Sequence, residues 1–423
     1  MPPDRPKPTF PATRAAASDQ MAAFLPFLAH YAANRNAVGP GHRAVSRLSP
    51  ALRHRLLLEE EVVATVLSRF SFPTVEKFLQ EIHWRTYWKG WLELRPQVWR
   101  HYRERVKWLH AHLNEPELGR AEAVGNGQSG TAIMDRFARE LTATGYLHNH
   151  ARMWWAGFWV HVEKLPWELG ADFFLRHLLD ADPASNTLSW RWVAGLQTPG
   201  KTYLPRRSNL EKYCAPEWLQ DQSGLHRLAD EVVMPFRASE TTSLEIQPLP
   251  ELLSAPAPRP GRVGLWLHED DCVPEIGPLQ AVPFAAIAAF RPAVPGQSPD
   301  MSSLRRTHLA SVLQDGCNRA ARHFPCAVTL EDSASLAASL TGWAAAAKLE
   351  SVVAYSPFVG PLGDQLDSIR AALAEHGIQL CLLRRPWDAQ WFPLAKSGFF
   401  PYWAKVEARL RRNSAPRSQP ELL

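Results

Sequence analysis

The hydrophobic pattern of the chain changes period once, at a stretch rich in proline, serine and threonine, Met234–Arg262. Before it, apolar residues recur at spacings of three and four over Met21–Asn34, Ala51–Ser68, Thr74–Leu94, Gln97–Leu113, Ala132–Thr144, His150–Lys164 and Gly170–Asp180. This predicts helices and no strand. Ser49-Pro50 has the form of an N-cap followed by proline at the first helical position, and Thr144-Gly145 that of a helix stop. After it, short apolar runs at Val263–Leu267, Val282–Ala289, Ala327–Glu331, Ser351–Tyr355 and Ile378–Leu383 alternate with amphipathic segments at Ser303–Phe324, Ser335–Leu349 and Asp364–His376. Such alternation predicts a parallel α/β sheet. The expected organisation is a flexible N-terminus over 1–20, a helical unit over 21–233, a Pro-rich linker over 234–261, an α/β unit over 262–405 and a flexible tail over 406–423.

Composition narrows the class. With 46% apolar residues in 423, both units can fill a core, and disorder throughout is excluded. The first twenty residues lack a signal-peptide apolar region, and no stretch of about 18 apolar residues reads as a membrane span, so a cytoplasmic protein is expected. Cys214, Cys272, Cys317, Cys326 and Cys381 show no C-x-x-C spacing, which predicts buried apolar cysteines and no metal cluster. His148-Asn149-His150 lacks nearby acidic ligands, and adjacent histidines on a helix diverge, so no metal is expected there either. A formal charge of +5 permits a polyanionic partner without requiring one. Most of the 17 tryptophans crowd into residues 84–218. Composition alone would make them core filler.

Residues Gly145–Gly195 carry H-N-x-x-R-M followed by D-x-D-x-x-x-N-x-x-x-W-x-W, with SRLSPALRH at Ser46–His54, LQEIHWRTYW at Leu79–Trp88 and YAANRN at Tyr31–Asn36 upstream. Together these resemble the flavin-binding core of the DNA photolyase/cryptochrome superfamily over nearly all of residues 10–213. Residues 262–405 resemble that family's α/β domain, which in ordinary members comes first, so the chain resembles a circularly permuted member. The resemblance implies an all-helical FAD-binding domain followed by a Rossmann-like parallel α/β domain.

It also implies roles. Tyr31, Ser46, Arg47, Leu48 and Ser49 would hold the FAD phosphates, Ser46 and Ser49 being plausible N-caps as well. Val45 stands where the family has a hydroxyl residue. Arg85 and Asn149 would join the flavin site, Asp180 would pair with Arg152, Asp182 would reach the ring edge and Asn186 would face N5, where an amide can donate to reduced flavin without adding charge. Glu81, Trp84, Met153 and Trp192 match positions that contact a flipped cyclobutane pyrimidine dimer, Trp84 and Trp192 as flat walls and Glu81 as hydrogen-bonding carboxyl. Arg35 would contact a DNA phosphate. Trp190 and Trp167 match the first two members of an electron-transfer chain, with Trp99 or Trp108 as third.

The resemblance thus favours light-driven repair of UV-damaged DNA by a monomeric photolyase, and Asn149 and Met153, where (6-4) enzymes carry histidines, favour the cyclobutane type. A cryptochrome-like photoreceptor would keep the flavin residues and tolerate loss of Glu81, Trp84 and Trp192. A flavin-free descendant is disfavoured by Asn149, Arg152, Asp180, Asp182 and Asn186. PRRSNLEKYC at Pro205–Cys214 departs from the family, as does WLHEDDCVPE after the first predicted strand, which lacks the usual arginines and leaves a second, antenna chromophore open.

Overall fold

The computed structural model describes residues 10–197, 203–228, 244–250, 261–292 and 301–414. Up to Arg227 the described elements are helical, and from Val263 five parallel strands alternate with helices. The strands are β1 (Val263–Leu267), β2 (Ala286–Pro292), β3 (Ala327–Ser333), β4 (Ser351–Tyr355) and β5 (Gln379–Leu383), in the order β3-β2-β1-β4-β5. Pairing is in parallel throughout, Leu265 lying beside Ile287 on one side and Val353 on the other. Alternate residues of β1 serve different cores, since side chains in a strand point alternately to its two faces. Leu265 and Leu267 join a core continuous with the helical unit, whereas Trp266 packs with Leu340, Ala344, Ile369 and Leu373 of the two helices on the outer face.

Several helix ends have visible causes. Thr13 caps Arg14–Phe24 through Ala16 N, so a helix begins inside the expected flexible N-terminus, and Phe399–Ser414 is helical inside the expected flexible tail. Pro26 falls in the 3-10 turn Leu25–His30, which splits the helix expected over Met21–Asn34. Gly145 ends Ala132–Thr144 at φ 70, a conformation open to glycine without a Cβ penalty. Ser49-Pro50 departs from expectation. The short helix Ser49–Arg53 is preceded by Leu48 and has no side-chain cap, and the chain turns again at Arg55, φ 53, before Glu59–Leu67. Ser46 Oγ accepts a bond from Leu48 N at 3.4 Å, without capping a helix. A helix that the periodicity misses, Glu115–Gly125, starts in a capping box between Asn114 and Glu117.

Of the expected linker, Leu244–Pro250 lies within the described residues. It follows the junction of helices Phe72–Glu93 and Pro96–His112, where Gln247 N donates to Leu94 O at 2.8 Å and Arg95 Nε donates to Leu244 O at 3.0 Å. The rest of the expected linker, apart from Gly261 at its end, lies outside the described residues. Among the described residues no helix is long and apolar enough to cross a membrane.

Candidate functional site

Four helices and one turn line a cavity of about 740 Å³, counting space open to solvent. Helix Phe72–Glu93 supplies Arg85, Asn149–Gly157 supplies Asn149, Arg152, Met153 and Ala156, Trp167–His177 supplies Phe174, and Pro183–Val193 supplies Ser185, Asn186, Ser189, Trp190, Trp192 and Val193. Asp180 and Asp182 come from the turn before that last helix. Nine residues singled out in the sequence therefore line one space: Arg85, Asn149, Arg152, Met153, Asp180, Asp182, Asn186, Trp190 and Trp192.

The two aspartates face different partners. Arg152 donates to Asp180 through both terminal nitrogens, at 3.1 and 2.9 Å, and through Nε to Leu147 O at 2.8 Å. Burial alone would raise the Asp180 carboxyl, but Arg152, Arg85 and the Ser49 hydroxyl more than offset it and hold it below the ordinary value. Asp182 caps Pro183–Val193 by accepting from Ser185 N at 2.8 Å, and its other oxygen faces Arg85 at 3.2 Å and Lys89 at 3.7 Å. Against the same desolvation, Lys89, Arg85 and Arg53 bring its pKa down to about 2. Both groups are ionised at neutral pH, which makes this wall of the cavity a fixed set of charges.

Asn186 is one turn further on. Its amide nitrogen donates to Ala171 O at 2.8 Å, which fixes the side chain and leaves its oxygen and second N–H for the cavity. Trp190 is buried, and its indole nitrogen has no partner among the described residues. A buried N–H without an acceptor is costly, and a ligand carrying oxygen or nitrogen acceptors would relieve it. The ionised pair, the held amide and this donor fit the polar rim of a flavin, and the apolar walls Ala156, Phe174 and Leu178 fit its ring.

The phosphate-side residues sit beside this group. Ser49 shares a hydrogen bond with Asp180, and Ser49 O accepts from Arg85 at 3.5 Å. Tyr31 is buried among Phe24 and Phe78, its hydroxyl held protonated by burial and the nearby Glu81 charge. Arg47 has φ 55 and lies close enough to Tyr146 to act on its hydroxyl, as Arg152 does. Leu48 is buried and Ser46 O accepts from Gln20 at 2.7 Å.

The substrate-side set divides. Met153 and Trp192 line the cavity, Trp192 with its ring 5.7 Å from that of Tyr203. Trp84 does not line it. Its ring lies flat on Phe399, centroids 3.7 Å apart and planes 8° from parallel, so the two expected walls do not face each other across this space. Glu81 also lies outside the lining, one helical turn from Arg85, with its carboxylate 3.9 Å from Arg35 and 41% of its side chain open. Crowding in that cleft still raises its carboxyl, against the lowering charges of Arg35 and Lys77. Arg35, expected at a phosphate, pairs with Glu81 and bonds Ala32 O.

The tryptophans also sort differently from the expected succession. The aromatic neighbours of Trp190 are Phe174 at 5.1 Å, Trp155 at 6.2 Å and Trp159 at 6.4 Å. Trp167 instead stacks on Tyr102 at 5.5 Å, and Tyr102 touches Trp99 at 5.4 Å. Trp108 is 46% exposed and stacks on His112. His148 spends Nδ1 on His150 N, and His150 lies between Asn36 O and Asn209 at 3.0 Å each.

Sequence reasoning missed Lys89 and Arg53. Lys89 follows Glu81 and Arg85 at intervals of four on one helix, a stripe that marks a shared face. Arg53 has no comparable local signal, because its partners Glu269 and Asp270 are distant in sequence. A second cavity, about 960 Å³, lies at the carboxyl ends of β1, β2 and β3, where open parallel sheets bind ligands. Trp266, Phe290 and Leu309 give it apolar walls, and Arg305 and Arg306 bring positive charge.

Residues 78–215 match the model of the FAD binding domain of DNA photolyase. The deoxyribodipyrimidine photo-lyase of Streptomyces griseus is 33% identical over 156 residues, 37% of this chain and 33% of that protein. That of Escherichia coli is 29% identical over 182 residues, 39% of this chain and 36% of the relative. The chain thus spans about a third of the length of the curated relatives it matches. A solved bacterial class III photolyase from Agrobacterium tumefaciens aligns with 27% identity and TM-score 0.41, over 51% of this chain and 44% of that one. The matched segment, residues 78–215, is thus similar to the FAD binding domain of DNA photolyase, and it holds the cavity's lining.

Proposed function

We propose that the chain is a light-driven DNA-repair flavoprotein that binds FAD in the 740 Å³ cavity and acts on cyclobutane pyrimidine dimers in UV-damaged DNA. The observation that carries this reading is the convergence of Arg85, Asn149, Arg152, Asp180, Asp182 and Asn186 on one cavity beside Met153, Trp190 and Trp192. FAD, when bound, supplies the photoexcited electron donor. The chain's own part is positional and electrostatic. Arg152 and Asp180 brace one wall, Asp182 presents a charge fixed from three sides, and Asn186 presents an amide that adds none. Ser46, Arg47, Leu48, Ser49 and Tyr31 form the phosphate side, and Met153 and Trp192 offer an apolar seat to an extruded pyrimidine dimer. An aromatic path through Trp167 and Tyr102 favours Trp99 over the exposed Trp108 as its outer member. The order of the two units is read as a circular permutation, and the second cavity as the place for an accessory chromophore.

One observation favours a second reading, a blue-light photoreceptor that binds FAD without repair. Trp84 is committed to Phe399 and stands outside the cavity, so half of the expected lesion seat is occupied by the chain itself. Blue-light repair of a thymine-dimer oligonucleotide by the purified, chemically reduced protein separates the two. Repair above a light-only control that is lost in Glu81→Ala is the expected result. A flavin-loaded, photoreducible protein without repair establishes the photoreceptor instead.

A further inference from the structure

The acidic loop after β1, Glu269–Asp271, lacks the pattern of the resembled family, and the structure shows where its charge goes. Asp270 accepts from Arg53 Nη1 at 2.6 Å and from Phe358 N at 2.9 Å. Arg53 also approaches Glu269 at 3.8 Å and donates to Ala181 O at 3.4 Å, between Asp180 and Asp182. Phe358 in turn lies under Lys89, whose ammonium is 4.0 Å from the ring centroid. Lys89 is 3% exposed, has no hydrogen-bond partner among the described residues and faces Asp182 at 3.7 Å. Arg53, Lys89, Asp182 and Phe358 line one small cavity of about 220 Å³ behind the main one.

A buried ammonium without hydrogen bonds is expensive to keep, and burial does draw the Lys89 pKa down. Its nearest anion is the carboxylate at the cavity edge, so its field acts there. We propose that Lys89 and Arg53 are positioning residues that set the electrostatic potential at the Asp182 edge of the flavin site, and that Asp270 of the α/β unit fixes both. The proposal rests on the FAD reading. Asp270 holds Arg53 directly and Lys89 through the backbone and ring of Phe358, so a loop of the α/β unit tunes a site built by the helical unit.

The test uses the full chain with FAD and reads two quantities, the FAD dissociation constant and the first-electron midpoint potential. Lys89→Met removes a positive charge behind Asp182 and should lower the one-electron reduction equilibrium on the order of tenfold, ~59 mV. Lys89→Arg keeps the charge and should stay within about twofold of the parent. Asp270→Asn removes a negative charge and should move the potential in the opposite direction, upward. Both neutralising variants should bind FAD within about threefold of the parent, because the oxidised ring carries no net charge for these groups to hold.

Opposite signs with affinity retained support the proposal. Shifts of the same sign, or no shift beyond about twofold in either variant, overturn it. If Lys89→Met does not accumulate as folded protein, the sign of Asp270→Asn decides alone: a rise supports the proposal and no change overturns it. A parent chain that binds no FAD overturns the FAD reading instead, which keeps the two failures apart.

Discussion

Replacing Arg152 by methionine strips the buried Asp180 carboxylate of its two-pronged partner while keeping an unbranched side chain of similar reach. Removing one member of a buried ion pair costs about 3–5 kcal/mol, because the other charge is left in a poor solvent. Here Arg152 is 22% exposed and Asp180 only 6%, and Asp180 keeps Ser49 and the field of Arg85. The lower end, about 3 kcal/mol, is therefore expected, a large share of the 5–15 kcal/mol typical of a domain. The deficit should depend on pH. In the parent the Asp180 pKa is depressed, so the pair contributes above the ordinary carboxylate range and is lost only as pH falls through the folded value. In the variant, Ser49 and Arg85 offset desolvation only in part and the folded pKa is expected to rise above the unfolded one, so falling pH relieves the strain. Urea titrations at pH 8 and pH 5, read as midpoint shifts at constant slope, should show a smaller deficit at pH 5. A deficit below about 1 kcal/mol that is equal at both values would show the pair behaving as an exposed one and refute the reasoning.

Gly170→Ala places a Cβ 2.3 Å from a ring atom of Trp190, which is buried and lines the cavity. A gain of about 1 kcal/mol in helix propensity is set against overpacking of about 1–3 kcal/mol, so net destabilisation with weaker FAD binding is expected in thermal melts and flavin titration. A more stable variant with unchanged binding contradicts that geometry. Glu93, half-buried and accepting from Val359 N, is pushed up to about 7 by desolvation. A carboxyl raised on folding makes the fold bind more protons, so it lowers stability progressively as pH climbs from the ordinary carboxylate range through about 7. Glu93→Gln should reduce the stability change between pH 5 and pH 8 by roughly 3 kcal/mol, and an unaltered pH profile counts against it.

Much of this site is legible locally. Two motifs bring Asn149, Arg152, Asp180, Asp182 and Asn186 within a short span, and the resemblance they carry implies the pairing of Arg152 with Asp180. Gly145 marks its helix stop because the backbone there needs φ 70. What is not legible depends on distant partners. Ser49 is drawn to Asp180 instead of capping a helix, and the turn at Arg55 serves Asp271 and Asp388, with which it forms buried ion pairs at 3.2 and 2.6 Å. Trp84 has the residue type of a lesion wall, but a ring over 300 positions away in sequence takes its face. Hydrophobic period cannot report such pairings, since it records which face is buried and not what lies against it.

The most direct test of the central claim is equilibrium titration of the purified chain with FAD, following quenching of flavin and tryptophan fluorescence, in the parent and in Asp182→Ala. Saturable one-to-one binding with a structured flavin absorption band, weakened at least about tenfold when the Asp182 carboxylate, the hydrogen-bond acceptor assigned to the ring edge and held by Arg85 and Lys89, is removed, is the predicted result. No binding, or binding equally tight in Asp182→Ala, would contradict the assignment of the cavity to FAD.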